Sequence, residues 1–148
     1  MNMKKSLSAF FGLFLFAALS QSAFALQPSN TTNLVGTWTN VNSATGGIVK
    51  VVVTNNVLTG FRINTFGACS PTPCNHGNIL ASRFSKSVSS TVAQGLSGQY
   101  DFGFSTMLVT AQRVYDLDGG TFLEVETRTK FAAGDTRNDY TRTELFRK

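Results

Sequence analysis

The chain has 148 residues, with 13 basic and 8 acidic side chains, one histidine and two cysteines. That length suits one small domain, and a charged fraction of 14% lies below the ~25% of ordinary domains, with Thr, Ser, Asn and Gly filling the difference. Basic residues are interspersed with acidic ones, with no block of like charge and no basic-aromatic cluster, which argues against a nucleic-acid partner.

The first element is a secretory signal helix. Lys4 and Lys5 precede an apolar stretch from Ala9 to Leu19, polar Ser20-Gln21-Ser22 follows, and Ala23-Phe24-Ala25 supplies a small-x-small cleavage pattern. The apolar stretch is shorter than the ~20 residues of a permanent span, so the mature form is expected to have no membrane span. Cleavage after Ala25 leaves Leu26–Lys148, 123 residues carrying 11 basic and 8 acidic side chains. Export to the periplasm or the medium is the expected localisation. The domain plan is then signal peptide 1–25, a flexible leader 26–33 of turn-forming composition, and one domain over 34–148.

Beyond the leader, runs rich in Val, Ile, Thr, Phe or Tyr alternate with Gly, Asn, Asp, Ser or Pro. They are Leu34–Asn40, Gly47–Thr54, Val57–Gly67, Gly77–Phe84, Ser87–Ala93, Gln99–Phe104, Thr106–Leu117, Thr121–Phe131 and Asp139–Phe146. The turn residues Thr54-Asn55-Asn56, Asp118-Gly119-Gly120 and Ala133-Gly134-Asp135 predict antiparallel neighbours. In Gly47–Thr54 the alternation places Val49, Val51 and Val53 inside and Lys50 outside. In Val57–Gly67 it places Phe61 and Ile63 inside and Arg62 outside. Thr121–Phe131 is the clearest case: Glu124, Glu126, Arg128 and Lys130 share one face, Leu123, Val125, Thr127, Thr129 and Phe131 the other. The fold class is all-β. An antiparallel up-and-down barrel of about eight strands removes unpaired edges most economically, and a two-sheet sandwich is the alternative.

Within this frame a few residues carry possible chemistry. Cys69 and Cys74 flank Ser70-Pro71-Thr72-Pro73, a spacing read as a disulfide in an oxidising compartment. The alternative, a metal or redox site with His76, lacks a fourth ligand nearby and lacks C-x-x-C spacing, so neither metal nor cofactor is expected. Gly36-Thr37-Trp38 places the single tryptophan on the first strand, either as an ordinary core aromatic or as a plug under a cation such as Arg142 or Arg147. No serine sits in a nucleophile elbow; of the carboxylates Glu124, Glu126, Asp139 and Glu144, the first two share a face with Arg128 and Lys130, and solvated strand charges explain them better than paired catalytic acids. Catalytic residues are therefore not assigned, and an enzyme is not expected. In the last strand Tyr140, Arg142 and Glu144 share a face. The simpler reading turns that face outward, whereas the inward alternative creates a polar lumen able to hold a ligand. The candidate ligand-binding residues are Trp38, Phe61, Tyr140, Arg142 and Glu144.

Two blocks, Asn33-Leu34-Val35-Gly36-Thr37-Trp38 and Phe66-Gly67-Ala68-Cys69-Ser70-Pro71-Thr72-Pro73-Cys74-Asn75-His76-Gly77, with a closing Leu145-Phe146-Arg147-Lys148, resemble a group of exported bacterial domains of mostly unassigned function. That group tends to carry Trp where this chain has Phe66, and Asp-Trp where it has Asn75-His76. More distantly, the size and the G-x-W are similar to the calycin barrels, lipocalin-like and avidin-like. The resemblance implies a small barrel and brings no mapped ligand site. The expected function is an exported binding protein for a small hydrophobic or polar ligand; the alternative is a protein-interaction or inhibitor module of the envelope with a packed core.

Overall fold

A computed structural model describes residues 33–90, 92–115 and 121–148. The expected signal peptide, the expected leader up to residue 32 and the Asp118-Gly119-Gly120 turn lie outside the described residues. Eight strands, β1 (Gly36–Asn40), β2 (Ile48–Asn56), β3 (Gly60–Gly67), β4 (Cys74–Ser85), β5 (Ala93–Asp101), β6 (Ser105–Tyr115), β7 (Thr121–Phe131) and β8 (Tyr140–Arg147), follow one another in space as in sequence. Every neighbouring pair is antiparallel, and β8 returns to β1, so the sheet is a closed barrel. The barrel, not the sandwich, is the architecture.

Period-two alternation holds wherever the register is regular. Leu123, Val125, Thr127 and Thr129 point inward from β7, as do Phe61 and Ile63 from β3. Three bulges break it, each adding one residue to one strand. The bulge between Ile48 and Lys50 turns Ile48, not Val49, into the core, while Val51 and Val53 are buried as expected. The bulge opposite Thr65 sets His76 and Gly77 of β4 against one residue of β3, with Gly77 at φ +98°. The third lies between Phe84 and Ser85, where β4 meets the start of β5. Residues 87–90, expected to begin a strand, form a loop instead; the neighbouring strand begins at Ala93 and runs through Gly95-Leu96-Ser97-Gly98.

Two of those glycines are spatial necessities. A side chain at Gly95 would collide with the ring of Phe84, and one at Gly98 with Ile79 and the Leu80 carbonyl. The core is continuous, from Leu34, Trp38, Val51 and Val53 through Ile63, Leu96, Val109 and Ala111 to Leu123, Val125 and Phe146.

The β1–β8 seam is short, with only the pairs Thr39↔Arg147 and Asn40↔Phe146 in register. Side chains extend it at both ends. At one end Lys148 Nζ donates to the Val35 carbonyl at 2.9 Å and lies 4.8 Å from the Trp38 ring centroid. The cation over Trp38 is thus Lys148, neither Arg142 nor Arg147, because β8 carries Lys148 to the chain-terminus end and Arg142 to the opposite one. At that opposite end Glu144 takes over, as described next.

Candidate functional site at the barrel mouth

The four connections β1–β2, β3–β4, β5–β6 and β7–β8 gather at the end of the barrel remote from Lys148. There the packed core stops and an open cavity of about 260 Å³ begins. Gly46, Gly47 and Ile48, the Ala68-Cys69 and Cys74 side of the crosslinked turn, His76, Met107, Thr127, Tyr140 and Arg142 line it. Such a volume falls just under the ~300–1,000 Å³ of sites for drug-sized molecules.

The last strand decides the character of this mouth. In the β7–β8 ladder Val125 faces Glu144, Thr127 faces Arg142, and Thr129 faces Tyr140. Directly paired residues share a face of the sheet, and Val125, Thr127 and Thr129 are buried. Tyr140, Arg142 and Glu144 therefore point inward, which corrects the simpler outward reading; their exposure reflects the open end of the barrel, not its outer wall.

Glu144 is consumed by the architecture. Its Oε1 accepts from Asn40 Nδ2 at 3.1 Å and from the Thr45 hydroxyl, and its Oε2 accepts from the Ile48 amide at 3.0 Å. A carboxylate thus pins the end of β1, its loop and the start of β2 to β8, where the backbone ladder has ended. Gly47 lies close beside it: a Cβ there would displace the ends of the Arg142 and Glu144 side chains. Arg142 itself donates to no partner among the described residues: their ion pairs are Arg128–Glu126 and Arg137–Asp135, on the surface.

Across the mouth, the Gly77 bulge turns the His76 side chain inward, and Nδ1 lies 3.0 Å from the Thr65 hydroxyl. Burial lowers the His76 pKa below its usual value, so the ring is neutral at pH 7. Its Nε2 edge lies against Gly67, where a Cβ would stand only 2.8 Å away. Below it the buried Tyr100 hydroxyl accepts from the Thr65 amide at 2.9 Å and sits 3.1 Å from both the Ile63 and the Gly77 carbonyls. Burial raises the Tyr100 pKa, so the phenol stays protonated as a donor.

The rim is held by its own hydrogen bonds. Thr45 Oγ1 accepts from the Gly47 amide at 3.0 Å, and the Ala68 amide donates to the Gly47 carbonyl at 2.8 Å, lacing the first loop to the disulfide turn. Cys69 and Cys74 form that disulfide. Phe131 N donates to Asp139 Oδ1 at 2.9 Å, and Ala132 N to the Phe104 carbonyl at 2.9 Å. Aromatic rings follow this side of the rim in sequence of contact: His76, Phe102 and Phe104, then Phe131 and Tyr140, with Arg137 spanning the gap at 5.3 Å from Phe104 and 4.0 Å from Phe131.

The residues singled out in the sequence divide into two groups. Tyr140, Arg142 and Glu144 meet at the mouth. Trp38 and Phe61 lie in the core toward the other end, Trp38 donating through Nε1 to the Leu34 carbonyl at 2.8 Å. His76, Met107 and the Gly46-Gly47 pair complete the mouth and were not among the ligand-binding candidates; the aim of His76 depends on a bulge, whereas Met107 lies in the regular ladders of β6. Among the described residues no three His, Cys, Asp or Glu side chains converge as a metal site.

No family model matches the chain, and no curated protein does. Among solved structures it has a distant similarity to a biotin-binding protein from chicken, with TM-score 0.45 and 19% identity, covering 76% of this chain and 94% of that one.

Proposed function

We propose that the chain is an exported carrier or sensor barrel that binds a small molecule in its mouth, and that Tyr140 and Arg142 are the binding residues. The observation that carries this reading is the inward-facing Arg142, a charged fork with open donors set over a cavity whose walls are already hydrogen-bonded in place. Walls fixed in advance lose little freedom when a ligand enters, which favours affinity from a small contact area. The signal-type N-terminus and the Cys69–Cys74 disulfide support export to an oxidising compartment. Trp38 and Phe61 serve in this reading as the floor and packed base beneath the site, and Glu144 as its brace.

Gly46 provides a clean test, because nothing lies within 4 Å of where its Cβ would be. Gly46→Trp should fold normally and place a large side chain at the edge of the mouth, where it obstructs entry. In a thermal-shift panel of small metabolites, any compound that raises Tm of the parent chain should leave this variant unmoved. Equal shifts in both proteins would place binding elsewhere.

A further inference from the structure

We infer that the ligand is a small organic acid with an apolar, flat body: its carboxylate sits on Arg142 and its body lies between Tyr140, Met107 and the disulfide turn. This inference rests on the reading of the mouth as the binding site and names the class of molecule that the site takes.

The polar half of the argument is Arg142. A guanidinium presents a planar fork of donors that matches a carboxylate through two parallel hydrogen bonds. Here the fork reaches the cavity without a protein acceptor among the described residues. The neighbouring carboxylate, Glu144, already accepts from Asn40, Thr45 and the Ile48 amide through its two oxygens. It steadies the region without occupying the fork.

The apolar half is the wall. Ile48, Ala68, the Cys69–Cys74 bridge, Met107 and the Tyr140 ring supply surface with few donors. Sulfur in contact with ring edges is favourable, and methionine adapts to the shape it meets. Tyr140 opens onto the aromatic rim through Phe131, 6.2 Å away between ring centroids. Flat hydrophobic groups gain from such offset or tilted ring contacts. His76 contributes a neutral edge instead of a second charge, so the site is built for a single negative group. At about 260 Å³ the cavity is just under the size of sites for drug-sized molecules, which suits a small ligand.

The test uses the ¹⁵N-labelled exported chain and three probes: phenylacetate, its neutral analogue phenylacetamide, and acetate, which keeps the charge and lacks the body. Phenylacetate should perturb the amide signals of Gly46, Gly47, Ala68 and His76, with a Kd at least about tenfold tighter than either control, a difference of ~1.4 kcal/mol. Raising the salt concentration should weaken it. Arg142→Gln should bring phenylacetate down to the affinity of the amide with no change in Tm, since the guanidinium makes no bond in the fold. Arg142→Lys, which retains charge and loses the fork, should fall between. Equal affinity for phenylacetamide would overturn the acid assignment while leaving the mouth as the site, and equal affinity for acetate would overturn the apolar body. Silence at the mouth for all three overturns the inference, and the Gly46→Trp comparison then decides the broader reading on its own.

Discussion

At the scale of single residues, the mouth contains a histidine whose ionisation is linked to stability. Burial depresses the His76 pKa from its ordinary 6.5, so between that value and the folded-state value the unfolded chain binds the proton more readily. Stability is therefore fully present above pH 6.5 and is lost as the pH falls through the folded pKa. Melting curves from neutral to about pH 5 should show Tm falling, and His76→Asn, which keeps a polar partner for Thr65, should flatten that slope. An unchanged slope in the variant would assign the acid sensitivity to other groups. Asp135, held down to about 2 by its hydrogen bonds from Arg137, titrates below this window. The inward aim of His76 was not legible in the sequence. A lone histidine beyond a Cys-flanked turn has no face until the bulge, fixed by Gly77 at φ +98°, turns it inward.

At the scale of elements, strand identity was largely legible and strand orientation only partly so. From Leu123 to Phe131 charged side chains alternate with apolar or Thr ones, and β7 has the expected bounds Thr121–Phe131. β8 mixes polar and apolar groups on both faces, so periodicity alone does not choose between them; the choice is made by pairing with β7. Its inward face is polar because it ends at the open mouth, while Phe146, fully buried on the same face, shows that the strand descends into the core. The brief β1–β8 ladder makes Glu144 a fastener for the barrel. Glu144→Ala should leave the Ile48 amide and Thr45 hydroxyl without their acceptor, at a cost of about 1.5–3 kcal/mol for bonds to a charged group. Denaturant midpoints should report the loss, and hydrogen exchange at the Ile48 amide should accelerate more than at Val109, in the regular β6 ladder. Uniform acceleration, or none, would show that the seam does not depend on this carboxylate.

For the whole molecule, the barrel is neither an empty cup nor a solid plug. Trp38, Leu34 and the Val/Leu core close one end, with Lys148 over the indole, and the polar ends of β8, β4 and β6 leave the other open. Closure into a barrel was legible from strand count and chain length, because a meander this compact has few other ways to hide its edges. The division into packed base and open mouth was not, because it depends on which strands outrun the core. The Cys69–Cys74 turn was legible as a crosslink, and its position against Gly47 at the mouth came only with the register. These features combine to put one small pre-formed pocket where the candidate residues Tyr140 and Arg142 converge.

The most direct measurement is a crystallographic soak of the protein with a diverse set of small fragments. The account expects bound fragments to concentrate in the mouth, with acidic groups on Arg142 and rings against Tyr140 and Met107. Fragments that leave the mouth to solvent and gather instead in the outer groove over Phe84, Gln112 and Glu124 would contradict it.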